Sequence, residues 1–182
     1  MKQKLTEELE IIEEVTIGLD RDTNTFKIKG PKGELEKVFN NPKVIPKIEG
    51  NKVIFESEKG TQKEKKEMKT IKAHLNNLMR GVKEGHVYKL KVCSGHFPMT
   101  VSVKGNVFEV KNFIGEHVPR TTQIPEGVNV KVDGQIIVVD GINKDVVSQT
   151  AGKIEQSTRR SGFDKRIFQD GIYIIEKDSK KI

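Results

Sequence analysis

Tryptophan is absent, cysteine occurs once, and aromatic residues make up only 5% of this 182-residue chain. A single cysteine, Cys93, excludes an internal disulfide and a cysteine-built zinc cage, as expected for a reduced, cytosolic chain. No run of 18 apolar residues occurs, which excludes a membrane-spanning helix, and no membrane partner is expected. The first eight residues hold no apolar stretch that would serve as a secretory signal. There is no Walker lysine loop, no Gly-x-Gly-x-x-Gly turn and no serine nucleophile elbow, so no cofactor is expected. Carboxylates are plentiful but interleaved with lysines, as on solvated faces, and none forms a recognisable acid–base pair.

What the chain does have is positive charge, a net of +7 from 33 basic and 26 acidic residues. That favours a polyanionic partner without requiring one. The excess is uneven. Residues 153–182 alone hold 8 basic and 5 acidic side chains, and three of the six arginines stand at 159, 160 and 166. Arginine presents a planar fork of donors that suits phosphate, so this cluster weighs more than its charge.

The chain also repeats itself. Phe26-Lys27-Ile28-Lys29 before Gly33-Glu34 returns as Phe108-Glu109-Val110-Lys111 before Gly115-Glu116. Lys47-Ile48-Glu49-Gly50 before Val53-Ile54-Phe55 returns as Lys131-Val132-Asp133-Gly134 before Ile137-Val138-Val139. In the first half, an acidic stretch over 5–14 has no clear structure. A hairpin is expected over residues 15–28, turning through 20–24, and a second at Glu49-Gly50-Asn51. Thr61-Gln62-Lys63-Glu64 is a capping-box start for a helix whose apolar stripe is Met68, Ile71, Leu75, Leu78 and Val82, with stops at Gly81 or Gly85. In the second half, a strand covers 87–93 and a hairpin turns at Lys104-Gly105-Asn106. Val128, Val130 and Val132 alternate into an Asp133-Gly134 turn. Asn143 is the expected N-cap of a helix carrying Val147, Ala151, Ile154 and Thr158 and ending near Ser161-Gly162. A last strand follows over 171–175. The expected fold class is α+β: two repeated small domains, each an antiparallel β-sheet with one helix packed on a face. The boundary falls near Gly85-His86, giving an N-terminal domain over 1–85 and a C-terminal domain over 86–182 that carries the basic tail.

Two groups of residues carry possible chemistry. Cys93 and His96, with His86 and His117 in the same half, offer a nucleophile and a base for a small thiol enzyme. They lack an orienting group and an oxyanion site in the sequence, and a buried cysteine beside a loop histidine explains them as well. The tail is the richer group. Lys153, Gln156, Arg159 and Arg160 crowd the end of the second helix, and a loop through Phe163, Lys165 and Arg166 leads to Gln169, Asp170 and Gly171. Phe163 is placed to stack on a base and Phe168 to anchor the loop in the core. Glycines 162 and 171 allow tight turns or close approach of a phosphate to backbone N–H groups. A basic helix C-terminus complementing its dipole accounts for Arg159 and Arg160 alone but not for the loop. The lysine-rich run over 63–69 reads as a solvated helix face.

The strings Gln149-Thr150-Ala151-Gly152-Lys153-Ile154-Glu155-Gln156 and Arg166-Ile167-Phe168-Gln169-Asp170-Gly171-Ile172-Tyr173 resemble the C-terminal signature of the large-subunit ribosomal protein six family, in its archaeal and eukaryotic branch. Ser94-Gly95-His96-Phe97-Pro98 and the two-fold layout are similar to that family as well. Bacterial members end in a Gly- and Lys-rich loop that is not seen here, and the lack of long insertions favours the archaeal side. The resemblance implies a cytoplasmic structural constituent of the large ribosomal subunit with no catalytic residue. It implies binding to large-subunit rRNA near the sarcin–ricin loop, with ribosomal proteins of the stalk base and translation factors as neighbours. Carried over by position, Lys153, Arg159, Arg160, Lys165, Arg166 and Gln169 face RNA. Asp170, Gly171 and Tyr173 match the motif; they either shape the loop or, for Gly171 and Tyr173, join the RNA-facing set. Lys104 and His96 are weaker candidates. A free RNA-binding module acting outside the ribosome is the alternative that uses the same tail.

Overall fold

The structure, a computed structural model, describes residues 3–20, 23–39, 43–164 and 166–182. The chain divides into two compact units, Met1–Gly85 and His86–Ile182.

The first unit runs β1 (Gln3–Glu10), β2 (Thr16–Asp20), β3 (Thr25–Gly30), β4 (Gly33–Val38), β5 (Ile45–Glu49), β6 (Lys52–Gly60) and α1 (Gln62–Lys83). Its strands form two antiparallel sheets, β1-β6-β5 and β2-β3-β4, where the repeat suggested one. Both predicted hairpins are present as β2–β3 and β5–β6. The acidic N-terminal stretch is a strand, with Leu9 opposite Val53 on β6. Helix α1 opens on the predicted capping box. The Glu64 carboxylate accepts the Thr61 backbone N–H at 2.8 Å and also bonds the Thr61 hydroxyl. The five stripe residues are all buried, and the helix packs on β3, β1 and β6. Each large side chain taken from water in this way contributes about 1.5–3 kcal/mol. Phe26 of β3 and Phe55 of β6 lie 6.5 Å apart, ring to ring, and tie the two sheets together. Of the two glycines expected to stop α1, Gly81 is buried within the helix. The chain leaves the helix only at Gly85, whose φ of +79° a residue with a side chain rarely adopts.

The second unit repeats this plan with β7 (His86–Cys93), β8 (Thr100–Lys104), β9 (Val107–Lys111), β10 (Arg120–Gln123), β11 (Val128–Asp133), β12 (Ile136–Gly141) and α2 (Lys144–Ser157). Sheet β8-β9-β10 corresponds to β2-β3-β4, and β11-β12-β7 to β5-β6-β1. Phe108 of β9 is fully buried, as is its counterpart Phe26. Two strands have no counterpart among the described residues of the first unit: β13 (Gly171–Lys177) pairs antiparallel with the free edge of β7, and β14 (Lys180–Lys181) pairs with β13. The stretch over 158–170 between α2 and β13 is irregular. Helix α2 ends at Ser157, not near Ser161, because its end is closed by side chains that the apolar stripe does not reveal.

Candidate nucleic-acid interface

The end of α2 is held from outside the helix. Orphan carbonyls at a helix C-terminus need donors. Arg120 Nη1 donates to the carbonyls of Ser157 (2.7 Å) and Arg159 (3.1 Å). The same guanidinium makes a two-pronged bond to Glu116, both distances 2.7 Å, and lies 4.4 Å from the Phe113 ring centroid. The hydrogen bonds from Arg120 hold the Glu116 carboxyl below its ordinary range. Thr158 closes the other side: its hydroxyl accepts the Ile172 N–H at 2.9 Å and donates to the Glu155 carbonyl at 3.1 Å. The chain is thereby turned out of the helix so that Arg159 and Arg160 lie beyond it. No basic side chain sits in the last turn of α2, so the helix dipole does not explain these arginines.

The far end of the loop is clamped by Asp170. Its buried carboxylate accepts the Gly95 N–H at 2.6 Å, the His96 N–H at 2.9 Å and His96 Nδ1–H at 2.6 Å. Burial pushes this carboxyl's pKa up. The hydrogen bonds from His96 and Gly95 push it down harder, to below the ordinary 3.8. The clamp aligns His96 with Phe168, the rings stacking at 4.7 Å, and Phe168 in turn meets Phe163 edge to face at 4.9 Å. Phe168 is therefore half-buried within the loop's own cluster, where the sequence suggested an anchor in the core. Arg160 covers the Phe163 ring at 4.3 Å and comes within 3.8 Å of Glu116. The loop is thus fastened at both ends, by Arg120 and Thr158 at one and by Asp170 at the other.

Within this frame the expected site residues are placed unevenly. Lys153 and Arg159 are exposed and have no ion-pair partner among the described residues. Arg166 is largely exposed and bonds Asp164 at 2.7 Å, an interaction that lowers the Asp164 pKa. Gln169 is exposed, its amide 3.5 Å from the Arg166 carbonyl. Lys165 lies outside the described residues. Tyr173 is exposed on β13, whereas Gly171 is buried opposite Cys93. Arg159, Arg160, Phe163, Phe168 and Tyr173 line one cavity of about 260 Å³ together with Gln156. Lys104 is not part of that lining and pairs with Glu109 at 2.8 Å on the β8–β9 hairpin. His96 is exposed, bonded to Asp170 and stacked on Phe168.

The thiol-enzyme alternative finds no assembled group. Cys93 is half-buried, and among the described residues no hydrogen bond joins it to His96. His86 is buried and faces Asp178 at 2.8 Å. Sequence reading missed Arg120, Glu116 and Phe113 altogether. The Glu116–Arg120 spacing of four gives no signal, because residues 116–120 are not helical.

A duplicated α+β scaffold whose second copy carries a fastened loop of arginines and aromatic rings is the build of a binding protein. Comparison with known proteins shows which family it is similar to. The family model described as ribosomal protein L6 matches residues 13–85 and again 97–171, one stretch in each unit. The large ribosomal subunit protein uL6 of Methanosarcina mazei is 42% identical over 177 residues, covering 97% of this chain and 99% of its own. The protein of the same description from Saccharolobus solfataricus is 43% identical over 175 residues, 96% of each chain. That of Methanococcus vannielii is 41% identical over 176 residues, 97% of this chain and 96% of its own. The chain belongs to the ribosomal protein L6 family, and it is not an enzyme.

Proposed function

We propose that the chain is a structural constituent of the large ribosomal subunit in the cytoplasm and that its tail binds large-subunit rRNA. We extend the proposal to the position of that site, near the sarcin–ricin loop at the stalk base, with ribosomal proteins and translation factors as neighbours. The first unit spaces the second or faces those neighbours. The relatives described as large ribosomal subunit proteins support the assembly. The observation that carries the RNA reading is the fastened loop: exposed Arg159, Arg160 and Arg166 stand on a frame set by the Asp170 clamp and the Arg120 brace. Phosphate pairing by such side chains supplies affinity and orientation, and folded RNA is recognised largely by shape.

Filter binding to large-subunit rRNA across a salt series tests this reading. The variant is Arg159→Ala/Arg160→Ala/Arg166→Ala. Every phosphate that it leaves without its cation lowers the magnitude of the log–log salt slope by roughly 0.7–0.9. The expected result is weaker binding with a shallower slope from a folded variant. Equal binding by variant and wild type refutes the tail as the RNA site. Recovery of the protein apart from large subunits, with RNA binding intact, would instead support an RNA-binding module acting outside the ribosome.

A further inference from the structure

The cavity in the tail has a composition that phosphate binding alone does not use. Arg159 and Arg160 supply donors at this cavity of about 260 Å³, but the rings of Phe163, Phe168 and Tyr173 also line it. Phe163 and Tyr173 are 37% and 43% exposed, a large apolar surface to leave to water on two side chains of a chain so poor in aromatics. Gly171 keeps the Tyr173 wall in place. A Cβ there would lie 3.3 Å from the Tyr173 hydroxyl and 3.4 Å from Thr158 Oγ1, so a side chain would push the phenol outward.

The polar groups are arranged around these walls. Glu155 Oε1 accepts the Ile174 N–H at 3.1 Å, which fixes the carboxylate at the cavity edge and leaves its second oxygen as an acceptor. The Gln156 amide adds a donor and an acceptor, and the Tyr173 hydroxyl, whose pKa burial raises, stays a donor at neutral pH. Arg159 and Arg160 stand at the rim.

Rings to stack on, a short set of mixed donors and acceptors, and cations at the mouth are what an unstacked base with its flanking phosphates requires. We propose that this cavity receives a single unstacked base of the rRNA, an inference that rests on the RNA reading of the tail. The base slides against the Tyr173 ring and the part of Phe163 that Arg160 leaves uncovered, with its polar edge toward Gln156 and Glu155, and the adjoining phosphates meet Arg159 and Arg160.

The test compares wild type, Gln156→Trp, Phe163→Ala and Arg159→Ala bound to large-subunit rRNA. Base edges are probed with dimethyl sulfate and carbodiimide, and affinity is read across a salt series. Gln156→Trp fills the cavity from an exposed helix position and spares the fold if Phe163→Ala loosens the loop. The expected result is one unpaired nucleotide whose base edge is protected by wild type and released by Gln156→Trp. Affinity falls between about fivefold and 150-fold, the range for removing one base–aromatic stack, while the salt slope keeps its value because every phosphate keeps its cation. Wild-type affinity and base reactivity in both Gln156→Trp and Phe163→Ala, with Arg159→Ala still weakening binding, overturn the base site and leave the RNA reading standing. Wild-type behaviour in all three variants overturns both.

Discussion

The two units share one plan and differ at one joint. In the first, α1 runs unbroken from Gln62 to Lys83, with Arg80 and Lys83 in its last turn where cations suit the carbonyl end of the helix. The chain then passes through Gly85 directly to the next strand. In the second, α2 stops at Ser157 with no basic side chain in its last turn, and Arg120 satisfies the carbonyls from another element. The basic residues appear beyond the helix instead, on the stretch 158–170 that the first unit lacks. The two units thus share one scaffold, and the second carries in addition a framed basic loop where helix meets sheet. Strand β13 anchors the addition by covering the edge of β7, whose counterpart β1 has no such neighbour among the described residues.

Breaking the clamp breaks the difference. Asp170→Ala removes a buried carboxylate and leaves the part-buried Gly95 and His96 N–H groups without their charged acceptor. Hydrogen bonds to a charged group contribute about 1.5–3 kcal/mol each, and water reaches the donors of these exposed residues, so the second unit is destabilised by about 1.5–3 kcal/mol. Amide hydrogen exchange reads this as faster exchange in β7, α2 and β13 with α1 unchanged. Slowed exchange, or an equal effect in both units, would show that the loop does not depend on Asp170.

Acid separates the units next, because each rests on a different carboxylate. Glu64 in the first unit is held at about 2 by the Thr61 hydroxyl and then the Thr61 N–H. Asp170 in the second is held below 3.8. A folded pKa below the unfolded value means a contribution that is complete above the unfolded value and lost as pH falls through the folded one. The capping box therefore weakens between pH 4.5 and about 2, and the clamp below about pH 4. Carboxyl chemical shifts followed by NMR through this range check both, and a Glu64 titration near 4.5 refutes the first.

The helix caps give a smaller contrast. Thr61→Ala and Asn143→Ala each remove an N-cap and each cost about 1 kcal/mol. The reciprocal capping box is described for the first unit, whereas in the second the Asn143 side chain accepts the Asp145 N–H at 3.0 Å. Thr61→Ala consequently raises the Glu64 pKa toward 4.5 as well as destabilising α1. Asn143→Ala destabilises α2 and moves no carboxylate titration. Equal titration shifts in both variants would erase the distinction between the caps.

Local signals carried the fold a long way. The Asp133-Gly134 turn, the capping box at Thr61 and the stripe from Met68 to Val82 depend on residues within one or two turns of each other, so spacing alone reveals them. The end of α2 was misread because Thr158 continues the buried stripe, while the groups that end the helix are Arg120, far back in the chain, and Ile172, far ahead. Strand β1 was illegible because its sequence is mostly charged, and its pairing with β6 orders it. The split of each half into two sheets lies in which strands pair, which no local pattern states. The same division holds at the tail. Its arginines and aromatics stand in the sequence, but Asp170 meets Gly95 across 75 positions, and that long-range bond turns a basic loop into a framed one.

The smallest expected effect tests whether charge alone would have sufficed. Helix α1 exposes Lys65, Lys66 and Lys69 along a shallow groove, as many cations as the tail's three arginines. No aromatic ring or carboxylate holds them among the described residues, whereas Arg160 lies on Phe163 and Arg166 on Asp164. Ordering a free lysine side chain costs up to about 2 kcal/mol, comparable with what an exposed ion pair returns. Lys65→Ala/Lys66→Ala/Lys69→Ala should therefore keep rRNA affinity within about twofold at moderate salt, where such charges are screened. Its salt slope should stay at the wild-type value, against the drop of roughly 0.7–0.9 per unpaired phosphate for the arginine variant. A matching drop from the lysine variant would mean that the first unit also holds RNA, and that the framed loop differs from the helix face in geometry but not in use.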